Sequence, residues 1–503
     1  MLKGIRPLDP VLRNIVKDAR GYLPKAVVPG VVAMLSTMIF TRIFLPDMYG
    51  RLSLVNAIGA PVLAVVAQIG GQPAGRFYNQ YRNTSQEGDY RTAVGLFGVG
   101  AVLVLATLGS VTGAILLWTG LPHSLSWALV LGMIVSTMVG SLVAIFLPLL
   151  SASFQISAAR YVAIGSAVGS LGLALMFIWV GGPRVSFILW ASILVNCSTL
   201  PYIFSRLGFS RDDFRILLLY RVRSSKMVRE FMNYGLPMAL WFLASAVMTA
   251  GDRYILAIYH GVAAVGLYST GYNTVNQGVQ MVSAPLLTAT WPRIIDQWTK
   301  GNVENSKIIL RGTTNLYLVV GGYLVGGVAV LGPPLFRMLV GVKFASAYSI
   351  LLPVAAGTVL WQMAHLGHAS LELLNRTRVM ARNLYLAVFF NFLANVCLVP
   401  RYGINGAALA ILASYTVYVS LVWWTSRTAL PWTIDILKLL EVCCATAIGL
   451  FVGKMLTLHA LGTIGLVAGS GVGYSISYFL VILACNRLGR RFNGLSLDRR
   501  REL

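Results

Sequence analysis

The sequence predicts an all-α polytopic membrane protein of about 14 transmembrane helices, arranged as two pseudo-symmetric six-helix bundles plus two C-terminal helices. Composition is the first reason. Of 503 residues, 57% are hydrophobic and only 11% charged, against about 25% charged in ordinary soluble domains, and mean hydropathy is +0.74. The second is segment length: apolar runs of about 20 residues, enough to cross a bilayer, recur along the chain and leave no room for a large soluble domain. The third is that the pattern of the first half returns in the second.

A net charge of +24 raises the prospect of a nucleic-acid partner, and its placement argues against one. With the N-terminus set inside, most of the 40 Lys and Arg fall at cytoplasmic ends and loops, the bias that orients membrane proteins. Both termini are therefore expected in the cytoplasm, and attraction to anionic membrane lipids accounts for much of the remaining charge. The five cysteines lie within or at the edges of apolar segments, without C-x-x-C or metal-type spacing. They read as small buried hydrophobes. No cleavable leader is expected, because residues 1–25 are mixed and polar and the first apolar run is long enough to span.

Taken in order, residues 1–21 form a basic cytoplasmic segment, and 22–205 the N-terminal six-helix bundle. Its first two spans meet at Pro46-Asp47-Met48-Tyr49-Gly50, a turn by its Pro and Gly content. A basic cytoplasmic loop, 206–234, separates the bundles; it carries seven Lys or Arg between Arg206 and Arg229. The C-terminal bundle, 235–425, opens with two apolar segments that the pattern joins at Val265-Gly266-Leu267-Tyr268-Ser269. Two additional transmembrane helices occupy 426–485, and a basic tail 486–503.

Gly50-Arg51-Leu52-Ser53 aligns with Gly266-Leu267-Tyr268-Ser269, and near that offset the following helices both end in arginine, Arg76 and Arg293. Each half thus starts with a Pro-bearing span, a Gly turn and a second span ending in Arg. Six spans per half is an even number, so the halves are parallel repeats, with a site expected between them near the midplane.

Polar groups within such spans are costly, roughly 2.5–3.5 kcal/mol for a charge at a helix centre, so those present mark interior faces. On span two, Gln68, Gln72 and Arg76 recur at i, i+4 and i+8; on span eight, Asn273, Asn276, Gln277 and Gln280 fall within one arc. On span ten, Gln362, His365, His368 and Glu372 share a face. Two explanations stand for these rows, interhelical hydrogen bonding or the lining of a water-filled lumen, and the lumen is favoured for spans two and eight. The sharpest charge is Arg253, deep in span seven. Its neighbour Asp252 is adjacent in sequence and is expected to point elsewhere on the helix. Arg42 lies near a span end, where snorkelling to the interface and a functional role weigh equally. Guanidinium suits bidentate phosphate, and with few acids in the spans the lumen is expected to be cationic and its cargo anionic. Arg253, Arg42, Arg76 and Arg293 are the candidate substrate-binding residues. Asp252 and Glu372 are the candidate ion-coupling carboxylates, for H+ or Na+.

No Walker-type Gly-Lys-Ser/Thr loop is present, so ATP hydrolysis is not implied. His365 and His368 lack an evident third metal ligand. No catalytic site, cofactor or metal is expected, and the chain reads as a non-enzyme.

Several motifs in order resemble one family: Thr41-Arg42 before Leu45-Pro46-Asp47-Met48-Tyr49-Gly50, Asn233-Tyr234-Gly235-Leu236-Pro237, Gly251-Asp252-Arg253-Tyr254-Ile255-Leu256, Val265 to Ser269, and Pro400-Arg401-Tyr402-Gly403-Ile404-Asn405-Gly406-Ala407-Ala408. Together they are similar to the polysaccharide (O-antigen and exopolysaccharide) flippases of the multidrug/oligosaccharidyl-lipid/polysaccharide transporter superfamily. Gly181-Gly182-Pro183 departs from the pattern at the five–six turn. The resemblance implies alternating access and an undecaprenyl-diphosphate-linked oligosaccharide moved from the inner to the outer leaflet of a bacterial inner membrane. A polysaccharide polymerase and chain-length proteins are the partners it implies. A lipid II-type flippase and a multidrug cation antiporter are alternatives within the superfamily. A membrane-embedded glycosyltransferase is the alternative outside it, and the short outer turns argue against that.

Overall fold

The structure is a computed structural model that describes residues 10–119, 126–153, 155–209, 225–374, 376–427, 431–458 and 463–499. Among these residues every regular element is helical. In chain order they are α1 (Pro10–Ile43), α2 (Pro46–Tyr81), α3 (Glu87–Thr119), α4 (Trp127–Ala152), α5 (Ile156–Gly181), α6 (Ser186–Leu207), α7 (Ser225–Ala250), α8 (Asp252–Thr299), α9 (Val303–Leu339), α10 (Val342–Leu373), α11 (Thr377–Thr425), α12 (Ile436–Leu458) and α13 (Thr463–Arg499).

Eleven helical runs among the described residues are long and apolar enough to cross a membrane. The run Lys226–Thr299 has 74 residues, about 110 Å if straight, several times the ~30 Å hydrocarbon thickness. It is interrupted at Gly261, whose φ of 80° ends one helix and begins another. Gly403, at φ 55° and ψ −130°, does the same within Thr377–Thr425. Two of the eleven runs therefore each hold two crossings; with the shorter apolar stretch Val27–Ile43 the described residues provide fourteen. A side chain at either angle would meet its own backbone, which is why glycine stands at both.

The break at Gly261 corrects one expectation. Val265–Ser269 does not form the turn; it lies inside α8, about one helical turn beyond Gly261. Gly266 has another task. A Cβ there would meet the carbonyl of Pro46, and a Cβ on Gly50 the carbonyl of Val262. The two glycines let the starts of α2 and the second part of α8 touch backbone to backbone. In the other case the sequence placed the turn correctly: Gly403 falls within Pro400–Ala408. His260, next to the first break, donates from Nε2 to the carbonyl of Val399 at 2.8 Å, next to the second.

Two compact units share the chain, one formed by Val27–Ser269 with Leu384–Ala407, the other by Met1–Ala26 with Thr270–Asn383 and Ala408–Leu503. In the first, α4 packs against α2, α3 and α6, and α7 lies along α2. Its core centres on Tyr90, Phe146 and Phe231, none more than 2% exposed. In the second, α9 packs against α10, α12 and α13, around Tyr317, Tyr415, Tyr418 and Tyr474. Tyr474 and Tyr478 donate into α9, to the carbonyls of Tyr323 and Val319 at 2.9 and 2.7 Å.

Large apolar side chains such as Trp179, Ile258, Leu103 and Phe451 stand exposed on the helix faces. An exposed apolar surface this extensive is unstable in water and matches a bilayer. The cysteines belong to it. Cys197, Cys397, Cys443 and Cys444 are exposed and Cys485 half-exposed, so the expectation that they are buried does not hold. In lipid a thiol faces hydrocarbon on either side of the helix surface, and burial in protein confers no advantage. Residues 210–224, most of the expected inter-bundle loop, lie outside the described residues, as do 1–9 and 500–503.

Candidate functional site

The most polar buried group of the first unit is built around the junction of α7 and α8. Gly251 separates the two helices. Its amide donates to the Val247 carbonyl at 2.8 Å, and a Cβ would stand 2.7 Å from that same oxygen. Asp252 then opens α8, in the first turn where exposed amides and the helix dipole favour an anion. Asp252 and Arg253 are 1% and 7% exposed.

Their side-chain partners come from about two turns past Gly261. The Tyr268 hydroxyl donates to Asp252 Oδ2. Arg253 donates from Nε to Ser269 Oγ at 3.1 Å and from Nη1 to the Thr249 carbonyl at 2.7 Å, with its guanidinium carbon 5.9 Å from the centre of the Tyr268 ring. Nη1 also lies 3.6 Å from Asp252 Oδ1, an oxygen without a hydrogen-bond donor among the described residues. The two neighbours therefore do meet, contrary to the helical spacing rule. The guanidinium reaches back across the Gly251 break to Thr249, and that brings it over the carboxylate at the new helix end. A buried carboxylate and guanidinium, each hydrogen-bonded, form a pair that can survive in low dielectric.

Gln68, Gln72 and Arg76 stand in different surroundings. Residues Ala67–Gly71 form a single π-helical turn, with the Gln72 amide donating to the Ala67 carbonyl five residues back. Such a turn carries one residue more than an α turn, so the 3.6-residue spacing does not run unbroken through this stretch. Gln68 is buried at 8% exposure, its Oε1 without a hydrogen-bond donor among the described residues; Gln72 and Arg76 are exposed. The Arg76 guanidinium stacks 4.4 Å over the Tyr234 ring. Gly235, the next residue, sits against the π turn: a Cβ would lie 2.7 Å from the Ile69 carbonyl oxygen and 2.9 Å from that of Gln68. The motif Asn233–Pro237 is thus the place where α7 meets α2. Arg42, in the last turn of α1, is exposed.

The second unit carries the other predicted positions. Asn273, Asn276 and Gln277 are half-buried and Gln280 exposed on α8 beyond Gly261, and Gln280 donates to Asn276 Oδ1 at 3.2 Å. They remain one stripe. Arg293 is half-buried further along the same helix, and Glu372 half-buried in the last turn of α10. The rest of the α10 row is turned into the unit. The Trp361 carbonyl lies 2.9 Å from His365 Nδ1, and His368 Nε2 is 2.7 Å from the Tyr418 hydroxyl of α11. Among the described residues no three His, Cys, Asp or Glu side chains come together as a metal site.

Sequence reasoning missed Tyr268, Ser269 and Thr249 as partners of the Asp252–Arg253 pair. The signal was present in Val265–Ser269, a motif read for its glycine and not for the two hydroxyls behind it. It also missed the π turn, whose sequence Ala67-Gln68-Ile69-Gly70-Gly71 offers two adjacent glycines inside an apolar span.

No family model matches the chain. An uncharacterized membrane protein of Methanocaldococcus jannaschii is 22% identical over 253 residues, 49% of this chain and 47% of that protein. A probable low-salt glycan biosynthesis flippase of Haloferax volcanii is 25% identical over 197 residues, 39% of this chain and 41% of that one. The chain thus spans about half or less of the curated relatives it matches. Among solved structures, the lipid II flippase MurJ in an inward closed conformation superposes with a TM-score of 0.72 at 15% identity, covering 91% of this chain and 97% of that one. A multidrug resistance MATE family transporter of the MOP superfamily, inward-facing, gives 0.65 at 13% identity over 81% of this chain and 97% of that one. At these identities the likeness is one of fold: the chain is an all-helical polytopic protein with the architecture found in MurJ and MATE transporters.

Proposed function

We propose that the chain is a flippase that moves a lipid-diphosphate-linked oligosaccharide from the inner to the outer leaflet of a plasma membrane by alternating access, its bundles at 22–205 and 235–425 acting as the two moving repeats. The observation that carries this reading is the fold shared with a lipid II flippase over 91% of the chain, and the glycan biosynthesis flippase among its relatives supports the same cargo class. Arg253 is the residue assigned to the diphosphate, with Arg42, Arg76 and Arg293 as further cationic positions and the amides Asn273, Asn276, Gln277 and Gln280 toward sugar. In this reading Asp252 is the counter-ion that Arg253 holds until an anionic headgroup competes for it. A proton or sodium gradient is the proposed energy source, and a glycan polymerase and chain-length proteins are proposed partners.

A cation antiporter is the second reading. It rests on the MATE likeness and on Asp252 Oδ1, which accepts no hydrogen bond among the described residues and is an acceptor that a cation could use in place of Arg253. Expression in a strain lacking its own lipid-linked glycan flippase separates the two. Restored surface glycan with the native chain, lost with Arg253→Ala and partly kept with Arg253→Lys, is expected. Full glycan display by Arg253→Ala at equal protein level would remove Arg253 from the cargo site. Drug-cation efflux without glycan display by the native chain would replace the flippase with the antiporter.

A further inference from the structure

An apolar crevice of about 340 Å³ lies within the first unit, walled by α2, α3, α4 and α7. Two local features create it. The π turn at Ala67–Gly71 swings Ile69 and Gly70 along one wall. Opposite them stands Gly100, where a Cβ would meet nothing within 4 Å, so no side chain fills the space. Phe97 and Val228 belong to the lining, and Phe97 stacks on Phe231 at 5.4 Å.

The lining includes exposed surface of α3. Val104 both lines the crevice and is 56% exposed, and its neighbours Val99, Leu103 and Leu108 are exposed at 43%, 62% and 55%. In a bilayer that face meets hydrocarbon. Water entering the crevice would find no polar partners, whereas a hydrocarbon chain would recover the dispersion contacts that an empty wall forgoes. Charge fixes the kind of lipid. Val228 sits between Lys226 and Arg229, both exposed on the first turns of α7. The nearby carboxylate of Glu230 is engaged by the Tyr81 hydroxyl at 2.8 Å, so two basic groups stand on α7 at the level of Val228, within reach of long side chains.

We infer that this crevice binds one anionic phospholipid of the surrounding bilayer, a hydrocarbon chain lying along Ile69, Gly100 and Val104 and the phosphate against Lys226 and Arg229. The inference does not depend on the flippase reading, since the cargo assignments involve none of these residues. It is tested by native mass spectrometry of the full chain titrated with phosphatidylglycerol or phosphatidylcholine. One phosphatidylglycerol is expected to be retained in preference to phosphatidylcholine. Gly100→Leu, whose side chain enters open space, is expected to lower retention at least about fivefold with thermal unfolding unchanged. Lys226→Gln and Arg229→Gln should each reduce the preference on the order of fivefold, the weight of one basic residue near an anionic lipid surface. Equal retention of the two lipids by the native chain would overturn the inference. So would undiminished phosphatidylglycerol on a folded Gly100→Leu, or a polyprenyl phosphate that displaces phosphatidylglycerol from the native chain at equal concentration. If Gly100→Leu fails to fold, the exposed Lys226 and Arg229 substitutions decide alone: an unaltered preference in both overturns it.

Discussion

Gly50 and Gly266 lie against each other's helices in reciprocal fashion. A Cβ on Gly50 would meet the Val262 carbonyl and stand 3.0 Å from the Gly266 amide; a Cβ on Gly266 would meet the Pro46 carbonyl and stand 3.0 Å from the Gly50 amide. Pro46 and Val262 are separated by the same number of positions as the two glycines. The contact is therefore a local two-fold exchange between equivalent points of the sequence repeat, and neither side has room for a methyl group. Gly50→Ala and Gly266→Ala are each expected to destabilise the protein by about 1–3 kcal/mol, the usual cost of overpacking. Thermal unfolding in detergent measures this, and unchanged midpoints in both variants would show that the helices can part without cost.

Asp252 and Arg253 are expected to be coupled in stability. Removing either one leaves the other charged and buried, which typically costs about 3–5 kcal/mol. Asp252→Asn and Arg253→Met should each be strongly destabilising, and the double variant should recover most of the loss. Purely additive effects would mean that the 3.6 Å approach carries no interaction. If Arg253 acts on cargo, the double variant will regain stability without regaining glycan display.

Tyr268→Phe removes the donor to Asp252 Oδ2 while keeping the ring beneath Arg253. An unsatisfied buried acceptor costs about 1–3 kcal/mol, so this variant should unfold earlier than the native chain and Asp252→Asn should soften the effect. Ser269→Ala, which takes away one of several Arg253 partners, should cost less. The order of the two midpoints is the check.

Asp435 offers a test outside the spans. It precedes α12, accepts from the Leu437 and Lys438 amides at 3.2 and 3.3 Å, and pairs with Arg311 at 3.0 Å. Partial burial pushes its acidity constant up, but the Arg311 hydrogen bond and charge and the two amides outweigh burial and hold it below the ordinary aspartate value. A carboxylate depressed on folding stabilises the protein above its unfolded value, and the contribution fades as pH falls through the folded one. Asp435→Ala should therefore cost about 1 kcal/mol at neutral pH, as lost caps do, and progressively less in acid. A penalty that stays constant down to the acid limit would rule out the carboxylate as its source.

Composition and run length made the helical architecture legible, because the bilayer imposes a length that apolar runs must meet. Gly403 was legible for the same reason: Pro400 and two glycines crowd into a place where a crossing must end. Gly261 was not, since a single glycine between apolar residues looks like any other until the backbone angle is known. The amide stripe from Asn273 to Gln280 was readable because α8 is regular there. The stripe from Gln68 to Arg76 contains a turn that the sequence did not announce, since periodicity arguments assume 3.6 residues per turn throughout. The pairing of Asp252 with Arg253 was hidden for a related reason: adjacency forbids contact only within an unbroken helix, and Gly251 breaks it. The hydroxyls that complete the pair lie 16 positions away, a distance that sequence spacing alone does not connect.

The π turn in α2 amounts to one residue more than a straight helix requires. Removing a single position from Ala67–Gly71 would let the turn close as ordinary α-helix and leave the helix after it in its present orientation, because one residue is the whole surplus. A substitution there keeps the surplus, and with it the wide turn that lies against Gly235. At this point of the chain a one-residue deletion is thus absorbed locally, whereas the same deletion in a regular stretch of α2 would turn the whole helix end by about 100°.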